Sequence, residues 1–198
     1  MEIHGKGSEK LTAKYKRTKL LYSDYSTFFD SLTKEIRAGL RKAQREGLTL
    51  TIRLNGTSDL SWENMIVPGT SANIMAMFPE VQFIDYTKVY SRLFTNLPSN
   101  YHLTYSLNEA SPSNAVGEVL TKTRHNVTQV YTAERVEEVM ARGFDVWSGY
   151  TAPVCSGDES DLRHLDPRGH VVALKYKVAR NSKMKAIKPI ENTGFIRN

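Results

Sequence analysis

Residues 127–147, VTQVYTAERVEEVMARGFDVW, decide the fold. Val127–Tyr131 is rich in β-branched and aromatic residues and reads as a strand. Thr132 is placed to cap a helix over Ala133–Arg142, whose apolar face is Val136, Val139 and Met140. Gly143 supplies the left-handed stop. Phe144–Trp147 reads as a strand again, ending in Ser148-Gly149-Tyr150. A strand, a capped helix and a strand in succession leave room for a helical crossover between parallel strands.

The same alternation extends in both directions. Strands are expected at Leu48–Leu54, Val81–Ile84, His102–Tyr105 and Val171–Tyr176, the last preceded by the turn signal Asp166-Pro167-Arg168-Gly169. A long helix is expected from about Asp24 to Glu46, because Tyr25, Phe28, Phe29, Leu32, Ile36, Leu40 and Ala43 recur at three- and four-residue steps before Gly47. Shorter helical segments fit Thr70–Phe78, Lys88–Phe94 and Ser113–Thr123. The expectation is a single α/β domain over residues 1–198, with a mostly parallel sheet of about six strands and helical crossovers. Basic extensions are expected at about residues 1–22 and 179–198.

Right-handed crossovers bring the C-terminal ends of parallel strands to one edge, where α/β proteins bind ligands. Residues that follow the strands therefore converge. Asn55, Ser58 and Asp59 follow the first strand, and Asp85 and Lys88 the second. Asn108 and Glu109 follow the third, and Asp158, Asp161, Arg163 and His164 lie in the acidic segment after the fifth. Asp59, Asp85, Glu109 and Asp158 are the carboxylates for a catalytic site, with His164 as general acid or base. Asn55, Ser58, Lys88, Asn108, Asp161 and Arg163 are ligand-binding candidates. Asp59, Asp85 and Asp158 would suit magnesium or manganese, since hard cations take oxygen ligands. The competing reading is that each carboxylate caps a helix or pairs with a nearby cation.

Composition and motifs exclude several chemistries. Cys155 is the sole cysteine, so the chain cannot build an iron–sulfur cluster or a structural zinc site of thiolates. The histidines show no zinc spacing, and there is no dinucleotide fingerprint for NAD and no phosphate loop. Neither a secretory signal nor an apolar run of about 18 residues is present, which points away from membranes and toward the cytoplasm. Charge is uneven. Residues 1–47 carry a net +5, 48–174 a net −5 and 175–198 a net +6. Basic ends suit an anionic partner such as nucleic acid or a nucleotide, and Lys14, Tyr15, Lys16, Arg17, Lys175 and Lys177 pair cations with aromatic rings as single-strand binders do. The alternative is a solvated surface.

Three motifs act together. Arg53-Leu54-Asn55-Gly56-Thr57-Ser58-Asp59 with Trp62-Glu63, Phe83-Ile84-Asp85-Tyr86-Thr87-Lys88, and Gly157-Asp158-Glu159-Ser160-Asp161-Leu162-Arg163 with Leu165-Asp166-Pro167 resemble the gene-product-88-like proteins of phages and plasmids over roughly residues 10–180. The resemblance implies a phage or mobile-element origin and a partial (β/α) barrel. It also implies a cysteine-rich segment upstream, reminiscent of an iron–sulfur site, which this chain lacks. Three functions stay open: action on nucleic acid, with or without a metal; non-enzymatic binding, for example to a host defence protein or as a replication accessory factor; and a small-molecule enzyme or sensor using the same sheet edge.

Overall fold

Two helices open the chain in the computed structural model, which describes residues 6–177 and 196–197. α1 (Lys6–Ser23) arises in what the sequence marks only as a basic extension, and of its described side chains Leu21 alone is buried. α2 (Tyr25–Glu46) follows the apolar spacing. Asp24 caps it by accepting the Thr27 N–H at 3.0 Å. Gly47, at φ +66°, closes it by donating to the Ala43 and Gln44 carbonyls. Its face buries Phe29, Thr33 and Ile36, and the Phe28 and Phe29 rings meet Trp62 at 6.1 and 6.2 Å. With the short α3 (Ile74–Met77), capped by Asn73, these helices make one compact unit from the chain up to Leu50 and Trp62–Val81.

The second unit, Thr51–Ser61 and the chain from Gln82 onward, holds the sheet. Its strands are β1 (Thr51–Ile52), β2 (Gln82–Thr87), β3 (Tyr101–Ser106), β4 (Val127–Tyr131), β5 (Phe144–Trp147), β6 (Tyr150–Ser156), β7 (Val171–Lys175) and β8 (Ile196–Arg197). The order is β1-β2-β3-β4-β7-β6-β5, with β8 also paired to β4. Every pairing is parallel except β5 with β6. The expected mixed α/β class with a mostly parallel sheet is the observed one. The sheet is open, with β1 and β5 at its edges. Its helices are α4 (Ala115–Glu118), which runs into a π turn at Val119–Thr123, and α5 (Ala133–Arg142).

The opening stretch forms β4, α5 and β5 at the expected bounds, and Thr132 caps α5 by accepting the Arg135 N–H at 3.3 Å. What differs is the direction of β5. Ser148 and Gly149 take φ of +44° and +83°, and Trp147 stands opposite Tyr150. A two-residue loop with both residues left-handed is a hairpin turn, and it sends β6 back beside β5. Ser148-Gly149-Tyr150 is therefore a turn at the opposite edge. The acidic segment follows β6, whose parallel pairing with β7 keeps that segment at the C-terminal edge.

The strand order also decides which face each connection covers. From β1 to β4 the chain advances in one lateral direction, and from β6 to β7 it returns. Right-handed crossovers running in opposite directions lie on opposite faces. Contacts agree. Glu137 and Arg135 of α5 reach Lys175 and Asp145, and the turn at Tyr90–Phe94 brings Tyr90 to Tyr105, all on one face by register. Residues 157–170 return over the other face, where a Cβ on Gly157 would lie 2.6 Å from Val172 Cγ1 and Leu174 Cδ2. Tyr86, His102, Thr104, Ser106, Thr128, Val172 and Cys155 line this second face.

Candidate functional site

The carboxylates at the strand ends are held by the protein itself. Asp85 is 1% exposed on β2. Its Oδ1 accepts the Asn55 N–H at 2.8 Å, and its Oδ2 accepts the Tyr101 hydroxyl at 3.1 Å and Asn55 Nδ2 at 3.3 Å. Asp59 takes Arg92 Nη1 at 2.6 Å on one oxygen, and the Lys88 N–H at 2.7 Å with the Thr87 hydroxyl at 3.1 Å on the other. Arg92 Nη2 reaches the Tyr101 hydroxyl at 3.2 Å and so links the two carboxylates. Asn55 Oδ1 accepts from Ser58 and the Leu60 N–H, which folds the 55–60 loop around it. Burial raises the Asp85 pKa to about 6 against the hydrogen bonds from Asn55 and Tyr101.

The remaining candidates are placed as follows. Asp158 accepts the Lys175 N–H at 2.9 Å and pairs with Lys177 Nζ at 2.7 Å, so two of the expected nucleic-acid residues belong to its surroundings. Lys175 Nζ also lies 3.7 Å from Glu137. Asn108 Oδ1 accepts the Ala110 N–H at 2.8 Å within the turn after β3, and Glu109 and Asp161 are exposed. Lys14, Tyr15, Lys16 and Arg17 are exposed on α1. The three proposed metal ligands turn both oxygens toward N–H or O–H donors, and among the described residues no three His, Cys, Asp or Glu side chains gather around one metal position. Structural capping accounts for Asp59, Asp85 and Asp158.

Different chemistry occupies the face beneath residues 157–170. Arg163, in a short 3-10 turn at Arg163–Leu165, is 1% exposed, Thr104 is 0% and His102 is 8%. Arg163 Nη2 donates to the Gly157 carbonyl at 3.2 Å. Its Nη1 stands 3.1 Å from Asp166 Oδ2, close enough to pair by charge, yet neither atom makes a hydrogen bond of acceptable angle. Arg163 Nε, His102 Nε2, Thr104 Oγ1 and His164 Nδ1 are also buried without a hydrogen-bond partner in the protein. Six of the nine such atoms among the described residues fall in this cluster; Asn126, Arg135 and Trp147 supply the others. An unpaired buried polar atom costs ~1–3 kcal/mol. Arg163 Nη1 and Asp166 Oδ2 offset each other as an ion pair, which leaves four of the six atoms with no protein partner. Buried donors and acceptors of this kind call for a partner such as water, an ion or a ligand.

The electrostatics match. Burial, with His125 and Arg168 adding to it, pushes His102 down to about 4, and burial lowers His125 and His164 as well. All three imidazoles are displaced toward the neutral form. Burial raises Asp166, opposed by Arg163 and His164. Burial and the Asp166 carboxylate push the Cys155 thiol up to about 11, so it is a thiol and no nucleophile near neutral pH. Tyr86 is raised by burial and lies in the field of Arg163, Arg53, Asp161 and Asp166, with the Arg53 guanidinium 4.6 Å over its ring.

Of the sequence candidates, Arg163 and His164 belong to this cluster, while His102, Thr104 and Asp166 were not among them. The signal was present. A parallel strand covered on both faces reads as a nearly continuous apolar run, whereas β3 alternates His102, Thr104 and Ser106 with Tyr101, Leu103 and Tyr105.

An open, mostly parallel α/β sheet whose strand order reverses at β4 and β7, with a polar cluster under the returning crossover, is the class of structure defined here. The Gene product 88 family profile matches residues 4–195, and the chain belongs to that family. No curated protein and no solved structure matches the chain. Among the described residues no helix is long and apolar enough to cross a membrane.

Proposed function

We propose that the protein binds a small polar molecule on the sheet face beneath residues 157–170, anchored by Arg163. The observation that carries this reading is the set of unpaired buried atoms on Arg163, Asp166, His102, Thr104 and His164. The reading places the ligand on the sheet face under the returning crossover, away from the strand-end crevice that open parallel sheets ordinarily use. It is the small-molecule reading of the sequence, moved from the carboxylate edge to the adjoining sheet face. A thermal-shift titration with a low-molecular-weight filtrate of bacterial lysate tests it, because a ligand that binds only the native state raises Tm by mass action. The native chain is expected to gain several degrees and the Arg163→Met/Asp166→Asn double variant none. Equal shifts in both proteins would remove the cluster from the function.

A second reading rests on α1. Lys14, Lys16, Arg17 and Lys19 surround Tyr15 and Tyr22, which are 71% and 75% exposed. Cations interleaved with exposed rings suit the backbone and bases of single-stranded nucleic acid. Fluorescence anisotropy with a labelled oligonucleotide should show affinity that falls steeply with salt. Binding unchanged by Tyr15→Ala/Tyr22→Ala would remove stacking from this reading.

A further inference from the structure

The ligand's chemistry follows from how the cluster's charges and free atoms are arranged, and it rests on the small-molecule reading above. Arg163 and Asp166 oppose each other at 3.1 Å and compensate each other's charge. A guanidinium only donates, and a carboxylate only accepts. Because both lack a hydrogen bond along that contact, Arg163 offers donors and Asp166 an acceptor side by side. The other unpaired groups, the neutral imidazoles of His102 and His164 and the Thr104 hydroxyl, each donate and accept. None supplies a net positive charge.

A free phosphate or carboxylate fits this arrangement poorly. It would meet Arg163 but bring its own negative charge against the Asp166 carboxylate. A molecule with a carbonyl oxygen beside an N–H satisfies both at once, the oxygen accepting from Arg163 and the N–H donating to Asp166. Cyclic amides present that pair in one rigid plane. Their further ring atoms can meet His102 and Thr104, which stand two positions apart on β3 and face the same side.

We infer that the site takes the amide edge of a neutral cyclic amide, the chemical class to which oxo-nucleobases belong, with Arg163 on the carbonyl and Asp166 on the N–H. Gly157 supports this placement. A Cβ there would lie 2.8 Å from Arg163 Nη1, so a side chain at this position would push the guanidinium aside.

Isothermal titration of the full chain with uracil, hypoxanthine and guanine tests the inference. 1,3-Dimethyluracil, which keeps the carbonyls and lacks the N–H, is the matched control, and inorganic phosphate and acetate are the anionic probes. At least one unmethylated ring should bind. Methylation should weaken binding at least tenfold, and Asp166→Asn should weaken the parent ring similarly while Glu159→Gln, on the exposed part of the same segment, leaves it unchanged. Binding of phosphate or acetate in preference to every cyclic amide overturns the inference and leaves the small-molecule reading intact. The absence of any cyclic-amide binding up to millimolar concentration also overturns it. A Tm gain with lysate filtrate then decides separately whether the site binds another molecule.

Discussion

Thr104→Val probes the cluster with the least disturbance. Thr104 is 0% exposed at the centre of β3, paired in register with Tyr86, and its Oγ1 finds no partner. Valine keeps the branched shape and the strand preference and replaces one buried hydroxyl by a methyl group. Removing an unpaired buried hydroxyl recovers ~1–3 kcal/mol. For a chain of this size each kcal/mol moves Tm by ~2–4 °C. Ligand-free Thr104→Val should thus melt at least ~2 °C above the native chain while losing affinity for whatever the site binds. Thermal unfolding by circular dichroism and urea titration give the first quantity, and calorimetric titration the second. Stabilisation with weakened binding is the signature of a functional group kept at a cost to stability. If Thr104→Val is destabilised by more than ~1 kcal/mol, the hydroxyl serves the fold and the reasoning fails.

Other outcomes follow from the same structure. Gly157→Ala forces a methyl against Leu174 and the buried Val172 as well as Arg163, and should cost ~1–3 kcal/mol in urea unfolding; an unchanged midpoint would mean that the 157–170 segment packs otherwise. Asp85, with a folded pKa of about 6 against 3.8, contributes stability that is full below pH 3.8 and is lost as pH rises through 6. The stability of Asp85→Asn relative to the native chain should therefore rise by ~2 kcal/mol between pH 4 and pH 7, and a constant difference would contradict this. His102 acts in the opposite sense. Its pKa of about 4 against 6.5 makes stability fall as pH drops through that window. His102→Gln should flatten that limb of the pH profile, and an unaltered limb would place the titration elsewhere.

The fold was legible wherever a local signal and a tertiary requirement coincide. Thr132 and Gly143 bracket α5 because the cap hydroxyl and the left-handed stop act within the helix itself. β6 was not legible. Pro153 interrupts its pattern, and a proline lowers any reading as a strand, although here it stands opposite Phe144 beside the sheet edge. Missing β6 hid the hairpin at Ser148-Gly149 and made β5 look parallel. α1 carries no apolar periodicity, so nothing local announces it. The site divides similarly. Asp59 and Asp85 stood out as strand-end carboxylates, and their capping role needed only nearby donors. His102 and Thr104 became a site through register, since alternate residues of β3 acquire a common face only when β2 and β4 are in place. Asp166 looked like part of a turn, and although its partner Arg163 is only three residues away, nothing local shows that the pair is buried against the sheet.

Native mass spectrometry of freshly purified protein tests the central claim most directly. The account predicts one small molecule retained per chain, present on the native protein and on Glu159→Gln, and missing from Arg163→Met/Asp166→Asn. A native chain carrying no molecule, together with no Tm gain on addition of lysate filtrate, would contradict it.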